Sequence, residues 1–281
     1  MHNLESIVER MVIIVIAPPL FLFISKLKDL HEVPPHRQYC NVLCNFLPQQ
    51  SFYISISTSD LKQDELKTTF DHLIFGSYFL EDGVNFIHER LGVRPEQGGE
   101  HLTMGTHNKL INLGNSTYLE VIAINPDLPK PQRPRWFGMD NLQPDSKPGL
   151  LTWVVRTNDI QQAVSNSKLQ HGKIESLQRG IYQWQIAIPE DGQMPLKGIT
   201  PTIIQWQCEV HPAQMLPPSD VTLISIEAFH PKADELSTLM NAIGFNGRFT
   251  ATKIATSDDK KLQVTLKCPK GIVTFESSYK V

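Results

Sequence analysis

Cysteine is scarce in this chain: its 281 residues contain four, Cys40, Cys44, Cys208 and Cys268. Only the first pair is close in sequence, at a spacing that matches no familiar zinc or redox motif. Free thiols in a reducing, cytoplasmic compartment are therefore expected. Cys208 and Cys268 sit beside apolar residues in strand-like runs, where a thiol serves as a small buried hydrophobe. A basic stripe is also missing. The net charge is −3 and the lysines and arginines are scattered, so the chain lacks the electrostatic footprint that binding a phosphate backbone requires; nucleic acid is not an expected partner. No long unbroken apolar run occurs either. Residues 11–25, MVIIVIAPPLFLFIS, fall short of the roughly 20 residues that a spanning helix needs, and Pro18-Pro19 interrupts them. The length suits the apolar core of a signal peptide, but Glu5 and Glu9 precede it and no convincing small-residue cleavage site follows.

Three catalytic signatures are absent: a G-x-x-x-x-G-K phosphate loop, a G-x-G-x-x-G turn after a strand, and a G-x-S-x-G nucleophile turn. Nucleotide-dependent and serine-hydrolase chemistry thus have no support. His107 lacks the glutamate and second histidine of a zinc-protease helix.

What remains is an ordinary globular composition, 41% hydrophobic and 20% charged, in a length suited to one large or two smaller domains. Residues 1–66 show no sustained periodicity and are expected to be a leader outside the working fold, with translation beginning near Leu66. From Thr69 the pattern is regular. Residues 70–75 form a strand-like run, and Val84, Ile87 and Leu91 recur at the spacing of one helical face. Gly92 is placed to end that helix. Strands are expected over 101–104, 108–113 and 117–124, separated by the turn dipeptides Gly105-Thr106 and Gly114-Asn115. This is a βαβββ module.

The order then repeats: a strand over 150–156, a helix over 159–169 capped by Asn158 or Asp159, and strands over 181–188 and 202–207. Between the two modules, residues 125–148 are proline-rich, contain Trp136-Phe137-Gly138, and read as an ordered crossover loop. A third unit follows Pro217-Pro218, with a strand over 221–229, a helix over 233–243 and strands over 261–267 and 271–276. The expected class is α+β, with repeated βαβββ modules forming curved mixed sheets around a cup. Residues 67–208 hold two modules and 219–281 a third.

Several runs carry a family resemblance. Phe70-Asp71-His72-Leu73-Ile74, Gly99-Glu100-His101 leading into Gly105-Thr106-His107-Asn108, Tyr118-Leu119-Glu120-Val121-Ile122 and Ile203-Ile204-Gln205-Trp206 together resemble the glyoxalase-like branch of the vicinal oxygen chelate superfamily. That resemblance covers roughly half the chain. It implies paired modules curving around a cup, a divalent metal in many members, and ligands projecting from the first and last strands of each module. By that correspondence His72 and Glu120 are the expected metal ligands, Trp153 and Gln205 stand at the matching places of the second module, and His101 is a further candidate. An open site of this kind binds two neighbouring substrate oxygens and stabilises the developing enolate or alkoxide.

Each candidate has a plain structural alternative. His72 suits a hydrogen-bonded strand histidine as well as a ligand. Glu120 lies between Leu119 and Val121, so it points to the opposite face from both, either solvent or the cup. His101 and Asn108 flank a turn whose backbone they could satisfy. Trp153, Trp184 and Trp206 suit core packing or an apolar ligand platform, and Arg156 and Arg179 suit solvent or a ligand carboxylate. The expected catalytic residues are Glu120 and His101, and the expected substrate contacts are Asn108, Trp153, Gln205, Trp206 and Arg179. Two functional classes follow. One is a lyase, isomerase or dioxygenase-type enzyme acting on a small oxygenated substrate; the other is a metal-free protein that binds a small molecule without turnover. A homodimer through the third unit is expected, because a lone module leaves an apolar face to cover.

Overall fold

Twelve strands and three helices, in three passes of the order strand, helix, three strands, make up the described part of the chain. The computed structural model describes residues 65–256 and 259–277. The expected leader, with Cys40 and Cys44, lies outside these apart from Glu65 and Leu66. In the first pass, β1 (Thr68–Ser77) leads into α1 (Leu80–Leu91), then β2 (Glu96–His101), β3 (Thr106–Gly114) and β4 (Thr117–Ile124). Val84, Ile87 and Leu91 form the buried stripe of α1, and Gly92 ends the helix in the left-handed conformation that glycine tolerates, its N–H donating to the His88 carbonyl. Gly83 lets the helix approach the sheet, since a Cβ there would meet Val121 at 2.7 Å.

The second pass is β5 (Gly149–Thr157), α2 (Ile160–Ser167), β6 (Lys173–Arg179), β7 (Tyr182–Ile188) and β8 (Thr202–Trp206). Asp159 caps α2, its side chain accepting from the Gln162 N–H at 2.9 Å. The two modules share one eight-stranded sheet in the order β2-β3-β4-β1-β5-β8-β7-β6. In each module the first and last strands pair in parallel, and antiparallel pairing of β1 with β5 joins them. The sheet curls until its edge strands approach: a Cβ on Gly99 of β2 would meet Arg179 of β6 at 3.0 Å. The α+β cup read from the sequence is therefore present.

Strands β9 (Thr222–His230), β10 (Phe249–Lys253), β11 (Lys261–Cys268) and β12 (Gly271–Glu276), with α3 (Ala233–Ala242), repeat the element order but not the wiring. Their sheet runs β10-β9-β11-β12. The strand after α3 returns parallel beside β9, whereas in the first two modules the strand after the helix goes to the far edge. This unit packs on the outer face of the large sheet. Leu262, Val264, Leu266 and Phe275 join one core with Leu73, Ile87, Leu119, Trp153 and Ile160, each such side chain contributing about 1.5–3 kcal/mol on full burial. The apolar face on which the expectation of a dimer rested is thus covered by the same chain. Among the described residues no helix is long and apolar enough to cross a membrane. Cys208 is half-buried, Cys268 is buried, and both are free thiols.

Candidate functional site

The concave side of the large sheet is apolar at one end and polar at the other. Residues 125–148 form the ordered crossover expected of them and plug the apolar end, where Trp136, Phe137 and Met139 pack against Ile74, Ile122, Val154, Trp184, Ile186 and Ile204. The space left beside that plug is about 10 Å³, room for a single water. The floor is closed.

Above it lies a chain of buried polar side chains. Its centre is Asp71, which a register shift between Phe70 and His72 takes out of the β1–β5 pairing. The bulge re-aims the carboxylate into the cup, where Asp71 is fully buried and four groups donate to it. His72 Nδ1 lies 2.5 Å from Oδ1. Trp206 Nε1 at 3.0 Å, His211 Nε2 at 3.1 Å and Arg156 Nη1 at 3.3 Å share Oδ2. Burial pushes this carboxyl up, but the bonds from His211 and His72 outweigh it and hold Asp71 below the ordinary carboxylate range. An ionised Asp71 takes a hydrogen bond from His72 Nδ1 and so turns Nε2 toward Glu120, 3.5 Å from its Oε2. Tyr118 stacks on the His72 ring at 4.3 Å. Burial, with the charges of Asp71 and Glu120, raises its phenol well above the usual value, so it stays neutral.

The chain continues toward β6. Asn108 Nδ2 donates to Glu120 Oε1 at 2.6 Å, and Asn108 Oδ1 accepts from the Gly99 N–H at 2.8 Å and from Arg179 Nη1 at 3.3 Å. Arg179 Nη1 also donates to His101 Nε2 at 3.0 Å, and His101 Nδ1 lies 3.1 Å from Thr106 Oγ1. Burial, then the Arg179 charge, hold His101 well below its ordinary value, so its ring is neutral and free to accept from the guanidinium. Gly98 makes room for Asn108, since a Cβ there would sit 2.1 Å from its Oδ1.

The segment 207–220 straps across the polar end. Its short turn Pro212–Met215 is tied to β3 by Asn112 Nδ2, which donates to the Ala213 and Leu216 carbonyls at 3.1 and 3.2 Å. His211 ties it to Asp71.

His72, Glu120, Asn108, His101, Arg179 and Trp206 are therefore brought together. Trp153 and Gln205 are not. Trp153 faces the helix-covered side, stacked on Phe249 at 5.4 Å with Nε1 donating to the Ile199 carbonyl at 3.0 Å. Gln205 turns to the start of α2, where Oε1 accepts from the Ile160 N–H at 2.9 Å. The register supplies the reason. Leu73 pairs with Trp153, so His72 corresponds to Thr152 one place earlier; Glu120, opposite Ile74, corresponds to Thr202, opposite Val154. Sequence reasoning missed Asp71, Tyr118 and His211. The bulge that turns Asp71 inward leaves no mark in composition, and His211 lies outside every periodic segment.

A family model described as a glyoxalase-like domain matches residues 70–244. The chain belongs to the glyoxalase-like domain family, within the vicinal oxygen chelate superfamily. No curated protein matches it significantly. Among solved structures it is similar to methylmalonyl-CoA epimerase from Mycobacterium tuberculosis, at 12% identity over 49% of this chain and 85% of that one, with a TM-score of 0.33. It is also similar to the Mn(II)-bound glyoxalase from Novosphingobium aromaticivorans, at 8% identity over 74% and 81% of the two chains, with a TM-score of 0.38. Likeness at this level adds nothing about chemistry, which rests on the residues of the cup.

Those residues fit a divalent metal poorly. Open metal sites keep about three protein ligands, and among the described residues no group of three histidine, cysteine, aspartate or glutamate side chains is placed to hold one. The first module supplies His72 and Glu120. The second supplies at the matching places two neutral hydroxyls, Thr152, which donates to the Gly198 carbonyl at 3.0 Å, and Thr202. The amide oxygen nearest Glu120, that of Asn108, already accepts from a guanidinium.

Proposed function

We propose that this glyoxalase-like protein is an enzyme that moves a proton at carbon in a small oxygenated molecule, a reaction of the isomerase or lyase type, and that it does so without a divalent metal. The observation that carries the reading is the line Asp71–His72–Glu120. An ionised buried carboxylate orients an imidazole whose other nitrogen faces a second carboxylate. In this reading Glu120 is the base that takes the proton from a carbon next to a carbonyl and returns it. Asn108 holds its Oε1, and His72 stands beside Oε2 to receive or relay the proton. Asp71 is a positioning residue that orients the His72 ring. His101, expected as catalytic, is assigned here to positioning, because both ring nitrogens are engaged, one of them by Arg179. Trp206, which donates to Asp71, lies 5.7 Å from Trp184 at the border of the apolar end.

The test is hydrogen–deuterium exchange followed by NMR, with the full chain and a panel of 2-oxo carboxylic acids in D2O. Exchange at the carbon beside the carbonyl should exceed background and fall at least about a hundredfold in Glu120→Gln, the usual scale for removing a general base. No exchange above background across the panel would overturn the enzyme reading. A second reading, binding without turnover, is favoured by one observation: His72 and Glu120 are only 4% and 5% exposed beneath the strap. Saturable binding without exchange would decide for it.

A further inference from the structure

Between the free edges of β2 and β6 and the strap lies an open cleft of about 330 Å³, which Arg179 of the polar chain lines, within the roughly 300–1,000 Å³ range of small-molecule sites. Gln97, Gly98 and Gly99 form one wall and Arg179 to Tyr182 the other, while Pro212, Met215 and Leu216 of the strap lie across it. Two properties of this opening stand out.

The first is an arginine without a counter-charge. Arg179 makes no ion pair with any carboxylate among the described residues. Its two acceptors, His101 Nε2 and Asn108 Oδ1, are both neutral, and both are served by Nη1. The Nε and Nη2 edge of the guanidinium, the fork that receives a carboxylate through two parallel bonds, is left unspent. Glu100 also borders the cleft, but its Oε1 accepts from Asn125 Nδ2 at 3.0 Å. A cation fixed by neutral acceptors through Nη1, with Nε and Nη2 making no hydrogen bond among the described residues and Nε lying beside Gly99, is preorganised for an anion that arrives with the ligand.

The second property is an apolar rim. Ile181 and Met215 are 67% and 64% exposed on opposite lips of the cleft, and Leu110, Pro212 and Leu216 continue the surface between them. The charged end of the opening is deep and the apolar end is outermost. Arg179 is the only cation among the lining residues and Glu100 the only carboxylate, so the cleft suits an anion of single charge held directly by the guanidinium and disfavours a phosphate dianion.

We infer that the cleft binds an amphipathic monocarboxylic acid, its carboxylate on the open edge of Arg179 and its apolar chain running outward between Ile181 and Met215. The assignment is of binding in a cleft beside the cup; it goes beyond the proton-transfer reading and does not depend on it.

The test is calorimetric titration of the full-length protein with octanoate, octanol, acetate and inorganic phosphate. Octanoate should bind saturably, acetate and octanol at least tenfold more weakly, and phosphate should not displace octanoate. Arg179→Gln should weaken octanoate at least tenfold with an unchanged far-ultraviolet circular dichroism spectrum. If that variant does not fold, Ile181→Gln with Met215→Gln, both on exposed side chains, should weaken octanoate severalfold and leave acetate unchanged. Octanol binding as tightly as octanoate, octanoate binding that is indifferent to Arg179→Gln, phosphate competing as an equal, or no octanoate binding at millimolar concentration would each overturn the assignment. These outcomes are independent of turnover. Deuterium exchange into a short 2-oxo acid with no octanoate binding would sink the cleft assignment and leave the proton-transfer reading standing; octanoate binding without exchange would do the reverse.

Discussion

Replacing Asp71 by asparagine probes the arrangement that organises the cup. The carboxylate is 0% exposed and receives four donors, from His72, Trp206, His211 and Arg156. Asparagine keeps the shape, yet offers one acceptor oxygen and turns an amide donor toward groups that are themselves donors. Removing one partner from a buried charged network costs about 3–5 kcal/mol. At roughly 2–4 °C per kcal/mol for a unit of this size, the thermal midpoint should fall by about 6–20 °C. The pH dependence is a sharper signature. The folded value of Asp71 is depressed by its partners, so its contribution is fully present above the unfolded aspartate value of about 4 and is lost as pH falls below that toward the folded value. The stability gap between wild type and Asp71→Asn, measured by denaturant unfolding, should be at its full size at pH 6 and shrink on acidification below about pH 4. A variant within 0.5 kcal/mol of wild type at pH 6, as for an ordinary surface change, or a gap that grows on acidification, would refute the reasoning.

Other outcomes follow from the same geometry. His211→Ala should cost less than Asp71→Asn, about 1–3 kcal/mol, and should speed amide hydrogen exchange within residues 207–220 while leaving the helices unaffected. Gly98→Ala places a Cβ 2.1 Å from Asn108 Oδ1 and 2.5 Å from the Asn108 carbonyl oxygen, so it should destabilise by about 1–3 kcal/mol and weaken binding at Arg179, read by the octanoate titration. Trp153→Ala should cost about 3–5 kcal/mol yet leave ligand affinity per folded molecule unchanged, because the ring packs on Phe249 behind the sheet. Burial pushes His171 down to about 4, and its Nε2 has no partner. Unfolding below about pH 6.5 therefore takes up a proton at this site, and His171→Phe should flatten the loss of stability seen on going from pH 7 to pH 5.

Much of the fold was legible because its strands and helices bury one face each. The stripe Val84, Ile87, Leu91 and the stop at Gly92 placed α1, and Asp159 capped α2 as its side-chain chemistry suggests. What periodicity could not reveal was β2, whose sequence EQGGEH carries no apolar residue and becomes a strand only through its pairing with β3. The edge strands β6 and β10 were missed for a related reason: both are largely exposed and hold few core residues. The wiring of the third unit was also hidden, because element order says nothing about which strand returns beside which. In the cup, His72 and Glu120 were found through the family pattern. Trp153 and Gln205 lie elsewhere because an alignment offset by an odd number of residues, one for Trp153 and three for Gln205, turns a strand side chain to the opposite face. No sequence pattern marks the bulge that brings Asp71 inward.

The central claim is that His72 and Glu120 act on each other and on substrate without a metal between them. It is tested most directly by the metal dependence of the deuterium exchange, with elemental analysis of the same sample. The account predicts an exchange rate unchanged by exhaustive chelation and by added manganese or zinc, with no stoichiometric metal in the protein. Exchange that collapses on chelation and returns with a divalent ion, in a protein whose metal is lost in both His72→Ala and Glu120→Ala, would contradict it.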